Sequence, residues 1–178
     1  DDKNFIPDLI RMLDNVITYF VENAPDTLSK AKFSAKMERS LGLGAMGFHA
    51  YLQRKNVPFE SPMAVGVNKQ MFGHIKKEAV NATETLAMER GEAPDAVGQG
   101  VRNVHLLAVA PNASSSIICG NTSPSIEPYR ANAFTQKTKS GSSLLKNEYL
   151  EHILQELEED TDEVWKSIIT NNGSVQHL

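Results

Sequence analysis

The stretch Pro111-Asn112-Ala113-Ser114-Ser115-Ser116 is the part of this sequence best suited to chemistry. Small residues leave successive backbone N–H groups uncovered, and serine hydroxyls stand beside them. Aligned amides at a turn or a helix N-terminus carry partial positive charge, so they hold a phosphate without Lys or Arg. The same serines have a second use, capping a following helix or bonding to neighbouring backbone groups.

Other candidates are weaker. Gly42-Leu43-Gly44-Ala45-Met46-Gly47 matches the G-x-G-x-x-G turn of dinucleotide-binding proteins. That turn needs a buried strand before it and an acidic residue about 20 positions on. Here Ala31 to Arg39 is charged and mixed, and the next acids, Glu60 and Glu78, sit badly, so a tight structural turn is the expectation and a nicotinamide-type dehydrogenase the rival. Cys119, between Ile118 and Gly120 with no His nearby, reads as a small buried hydrophobe rather than a nucleophile. Glu127 is expected to pair with Arg130 or a backbone amide. Asn-x-Ser/Thr triplets at Asn81, Asn112, Asn121 and Asn172 read as chance in a chain with no secretory signal.

These residues must be positioned by the elements around them. From Pro7 to Ala24, Leu9, Ile10, Leu13, Val16, Ile17, Phe20 and Val21 recur at helical spacing. Thr27 to Ser40 shows no periodicity and reads mostly as loop. The glycine run feeds a short helix that Asn56 to Pro58 ends. The longest helix starts near Ser61-Pro62, carries Met63, Val67, Met71, Ile75, Ala79, Ala82 and Leu86 on one face, and stops at Gly91. His105 to Ala110 reads as a short buried strand running into Pro111, and Pro111 to Pro128 as caps and turns. In the tail, Leu150, Ile153, Leu154 and Leu157 form one helical face. Val164, Trp165, Ile168 and Ile169 form another after an Asp160-Thr161 cap, and Asn171-Asn172-Gly173 ends it. The expectation is one segment, mainly helical over 1–95, with a strand and the phosphate-binding loop over 101–141 and helix over 142–178.

Composition narrows the function classes. The 178 residues suffice for one domain with a real core. A net charge of −4 offers no cationic field for nucleic acid or an anionic membrane. The single cysteine forms no internal disulfide, no metal-ligand cluster is visible, and no run approaches the length of a membrane span. The opening Asp1-Asp2-Lys3-Asn4 lacks a signal-peptide layout, so the expected compartment is the cytoplasm.

Taken together, Pro111 to Ser116 followed by Gly120-Asn121-Thr122-Ser123-Pro124-Ser125-Ile126-Glu127-Pro128 resembles the large, catalytic subunit of class I ribonucleotide reductases. Asp14-Asn15-Val16-Ile17, Arg39-Ser40-Leu41 running through Gly47-Phe48, and Ala131-Asn132-Ala133-Phe134 leading to Ser140-Gly141 agree in the same order. The likeness is greatest to the phage and bacterial branch. It implies an α/β fold, a part of a ten-stranded barrel that is mostly helical in this segment with a few short strands. The implied activity is reduction of ribonucleotides, usually diphosphates, to deoxyribonucleotides for DNA synthesis, by a thiyl radical on a finger loop with electrons from a cysteine pair.

The resemblance also implies roles. Pro111, Asn112, Ala113, Ser114 and Ser115 would bind the substrate's phosphates through main-chain amides, and the glycine motif would be a strand-to-helix junction. The radical cysteine, its neighbouring Glu and Asn, and the redox cysteines would lie before Asp1. The paired radical-transfer tyrosines and the cysteine-bearing tail would lie after Leu178. Cys119 matches no catalytic cysteine, so this piece carries no catalytic residue and is expected to be inactive alone. The segment itself would bind no cofactor or metal. The complete enzyme would use a radical from a metal-containing small subunit, a dithiol reductant and allosteric ATP or dNTP. Its partners would be the substrate, the remaining parts of the large subunit, the small subunit and a second copy. The alternative is a non-catalytic nucleotide-binding or interaction domain.

Overall fold

The computed structural model describes residues 3–138 and 141–178. Asp1 and Asp2 of the opening segment, and Ser140 of the Ser140-Gly141 motif, lie outside the described residues. The helices are α1 Phe5–Asn23, α2 Ser29–Glu38, α3 Phe48–Arg54, α4 Pro62–Arg90, α5 Ser115–Ile118, α6 Glu148–Glu156 and α7 Asp162–Thr170. Strands β1 Ala133–Thr138 and β2 Gly141–Lys146 pair antiparallel, from Ala133 opposite Lys146 to Thr138 opposite Gly141. None of these helices is long and apolar enough to cross a membrane among the described residues.

The chain divides into two compact units, Asp1–Gly44 with Val65–Ala110 and Ala45–Ala64 with Pro111–Leu178. In the first, α1 lays Ile10, Leu13 and Ile17 against Leu41 and against Ala79, Ala82 and Leu86 of α4. The expected face of α4 is buried only over its second half, since Met63 is exposed. Thr27 to Ser40 is not loop but a short 3-10 turn, Asp26–Leu28, followed by α2. No residue of α2 is buried, so there is no apolar stripe for periodicity to detect. His105 to Ala110 is no buried strand. It is mostly exposed and forms a single parallel bridge, Leu43 with Leu107. Among the described residues its backbone pairing runs through the Leu41, Leu43 and Ala108 amides, which donate to His105, Leu106 and Leu43 at 2.8–3.0 Å.

That bridge accounts for the glycine motif without a dinucleotide. A Cβ on Gly44 would overlap the Ala108 carbonyl oxygen, and one on Gly42 would sit 3.2 Å from Ala108 Cβ. The segment before the motif is α2, whereas a dinucleotide turn requires a strand there. Gly44→Ala is therefore expected to destabilise by about 1–3 kcal/mol, since the neighbouring backbone must move. A thermal melt of the full-length variant, unchanged within error, would contradict it.

In the second unit, Ala133, Leu154, Trp165 and Ile168 form the core, with Leu150, Val164 and Val175 packed on it. Asn147, buried, joins its parts: its Oδ1 accepts from the Tyr149 amide at 3.1 Å to cap α6, and its Nδ2 donates to Asn132 Oδ1 at 3.0 Å. Thr161 caps α7 as expected, Oγ1 accepting from the Val164 amide. Residues 142–146, read as helical from the sequence, are β2. Gly-Ser-Ser opens the strand, and these residues have no helical period to oppose pairing with β1.

Candidate functional site

The second unit encloses a cavity of about 430 Å³ whose wall includes Pro111, Ala113, Ser114 and Ser116. Asn112 and Ser115 belong to the same loop but not to that wall. Asn112 makes the turn possible, taking φ 52° in the left-handed region that Asn tolerates. Its carbonyl then accepts from the Ser116 amide at 2.9 Å, and the Ile118 and Cys119 amides go to the Ser114 and Ser115 carbonyls. Among the described residues, the amides of Ala113, Ser114 and Ser115 donate to no acceptor. The alternative use of the serines is filled only in part. Ser114 precedes α5 without a side-chain cap bond, and Ser116 Oγ donates back to the Ala113 carbonyl at 3.3 Å.

The rest of the wall comes from residues that the motif did not single out, notably Asn121, Thr122, Tyr129 and Phe134. The Asn121 and Thr122 amides donate to Ile117 and Ser116, which folds this segment back onto α5. Tyr129 Oη donates to the Asn121 carbonyl at 3.2 Å. Burial, together with Tyr149 and Glu148, pushes the Tyr129 phenol up to about 12, so it remains a neutral donor. Glu127 and Arg130 both line the cavity and, among the described residues, form no ion pair with each other, which removes the first of the two expected partners of Glu127. The Glu127 amide instead donates to the Pro124 carbonyl at 3.1 Å. Cys119, the residue that ends the one-turn helix α5, is exposed and not buried as expected.

The α3 N-terminus is fastened to this wall. Gly47, at φ 82°, donates its amide to the Ser123 carbonyl at 2.8 Å, and the Ala50 amide donates to Ser123 Oγ at 3.1 Å. Ser123 is fully buried, so both bonds are shielded from water. A larger cavity, about 920 Å³, lies between α3 and α6 and is lined by Arg54, Glu148, His152 and Glu156 among others. Its wall mixes charges of both signs, whereas the smaller cavity has the open amides of the Pro111–Ser115 loop beside it, so the smaller cavity is the candidate anion site.

The barrel domain of ribonucleotide reductases matches this chain over residues 3–96 and 93–178. The chain belongs to that family. It is 50% identical over 180 residues to the ribonucleoside-diphosphate reductase large subunit of Invertebrate iridescent virus 6, covering all of this chain and 19% of that protein. The corresponding large subunit of Invertebrate iridescent virus 3 is 48% identical, covering all of this chain and 29% of that protein. Among solved structures, the class Id ribonucleotide reductase alpha subunit of Actinobacillus ureae superposes with a TM-score of 0.89 at 38% identity, over the whole chain and 32% of that subunit. The chain therefore spans about a fifth to a third of these relatives. Its mostly helical architecture with two short strands is a portion of the ribonucleotide reductase barrel domain.

Proposed function

We propose that this barrel segment serves a ribonucleoside-diphosphate reductase large subunit, and that its loop Pro111, Asn112, Ala113, Ser114 and Ser115 holds the substrate's diphosphate. The observation that carries the reading is the set of open amides on Ala113, Ser114 and Ser115 beside a cavity in a member of this family. Amide donors fixed by the Asn112 turn need no reorganisation on binding. They would set the ribose against a radical residue supplied from outside residues 1–178, where a small misplacement slows reaction severely.

The complete enzyme would draw its radical from a metal-containing small subunit, its electrons from a dithiol and its regulation from ATP or dNTP. It would work as a homodimer in the cytoplasm, the host's where the gene is viral. Replacing Ala113 or Ser114 by Pro in the full-length polypeptide removes one amide donor. Affinity for a ribonucleoside diphosphate should fall by about 1.5–3 kcal/mol, the worth of a charge-assisted bond. Unchanged affinity in both variants rejects the assignment.

A further inference from the structure

The aromatic wall of the cavity is held from behind by a histidine that the sequence reading passed over. His49 is the second residue of α3, and its Nδ1 lies 3.1 Å from the Tyr129 amide nitrogen. An amide N–H only donates, so Nδ1 must carry a lone pair and the ring proton must sit on Nε2. The imidazole is clamped edge-on by Phe59 and Tyr129, each 5.5 Å away between ring centroids. Tyr129 is thus fixed at both ends, its amide on His49 and its hydroxyl on the Asn121 carbonyl. The next residue, Arg130, and the loop residue Ala113 share the cavity with it.

We propose that His49 is a positioning residue for the substrate's diphosphate: its neutral Nδ1 fixes the Tyr129–Arg130 backbone as the wall opposite the Pro111–Ser115 loop. The inference rests on the diphosphate reading above. It makes the wall sensitive to acid, because a protonated imidazole has no acceptor and faces the Tyr129 N–H with a second N–H. Burial holds the His49 ring below its ordinary value of 6.5, so the wall is intact at neutral pH. The titratable group facing it is Tyr129, which keeps its own proton to about 12. No charged group acts on the His49 proton among the described residues.

The test compares CDP binding to the full-length polypeptide in wild type, His49→Leu and His49→Asn. Asn can present its Oδ1 near the position of Nδ1 and does not titrate. His49→Leu should weaken CDP roughly threefold to tenfold, the worth of one neutral hydrogen bond. His49→Asn should stay within about twofold of wild type, a rescue that simple loss of packing would not give. Below pH 6.5 wild type should lose affinity more steeply than His49→Asn, which separates His49 from protonation of the phosphate itself. Native affinity in His49→Leu, equal loss in both variants, or identical pH dependence overturns the proposal. If His49→Leu does not fold, the ¹⁵N shifts of the wild-type imidazole decide, and a proton on Nδ1 at neutral pH refutes it. Ala113→Pro and Ser114→Pro separate the two readings: normal CDP binding in both rejects the diphosphate loop, whereas a loss in either with none in His49→Leu rejects only the role of His49.

Discussion

Replacing Asp14 by Ala is expected to destabilise the first unit by about 3–5 kcal/mol, because it strands buried cations without their counter-charge. Asp14 is fully buried on α1. Arg39, itself only 6% exposed, donates Nε and Nη2 to Asp14 Oδ1 at 2.9 and 2.7 Å. Arg90, at the end of α4, donates to the other carboxylate oxygen at 2.9 Å, and Arg102 Nε stands 3.5 Å from Oδ1. Asn103 adds a bond from Nδ2 at 3.1 Å while its Oδ1 accepts from Thr83. One carboxylate thus ties α1, the end of α2, α4 and the segment leading to His105. Hydrogen exchange in α1 and α4 of the full-length polypeptide should accelerate in the variant. Native protection in both helices would show that the arginines find other partners.

The same centre sets an acid limit. Burial by itself raises the Asp14 carboxyl, but the bonds and charges of Arg39, then Arg90 and Arg102, outweigh it and hold the group below its ordinary value of 3.8. A carboxyl depressed on folding contributes stability that is fully present above its unfolded value, about 3.9, and is lost as pH falls through the folded one. Wild type should therefore lose stability below about pH 4 more steeply than Asp14→Asn, which has nothing to titrate at that position. Parallel curves for the two proteins would remove Asp14 from the acid transition.

Such a centre shows where the sequence was readable and where it was not. Asp14 was seen as part of a helical motif, yet its burial depends on partners such as Arg39 and Arg90, 25 and 76 positions away. No local pattern encodes that meeting. Helices α1, α4, α6 and α7 were legible because apolar periodicity and caps are local properties. The open amides of Ala113, Ser114 and Ser115 follow from local composition too, since small residues and serines leave backbone uncovered in a single stretch. The wall opposite this loop was not legible, because Tyr129 and His49 are 80 positions apart and meet only through folding. The β1–β2 hairpin was missed because Thr135, Gln136, Lys137, Ser142 and Ser143 give no apolar alternation to mark a strand. His105 to Ala110 failed in the opposite sense. Its apolar run imitates a buried strand, while its only described pairing is with the Leu41–Leu43 stretch.

The second large effect is expected at Trp165, where Trp165→Ala should destabilise the second unit by about 3–5 kcal/mol. The indole is 2% exposed, packed with Ala133, Leu154 and Ile168. Its Nε1–H donates to Asp160 Oδ1 at 2.6 Å, and Lys146 Nζ lies 4.5 Å from the ring centroid. That indole bond, with one from Gln155, holds the Asp160 carboxyl below its ordinary value. Trp165→Phe keeps most of the buried ring and loses the indole donor, so its loss should be clearly smaller than that of the alanine variant. The consequence reaches the cavity, since Ala133 of β1 rests on this core and the next residue, Phe134, lines the wall. Trp165→Ala should therefore speed hydrogen exchange in β1 and α7 and weaken ribonucleoside diphosphate binding together. Faster exchange with unchanged binding would mean that the Phe134 wall is fixed by the loop residues alone, and equal losses for Phe and Ala would assign the effect to the Asp160 bond instead of the buried ring.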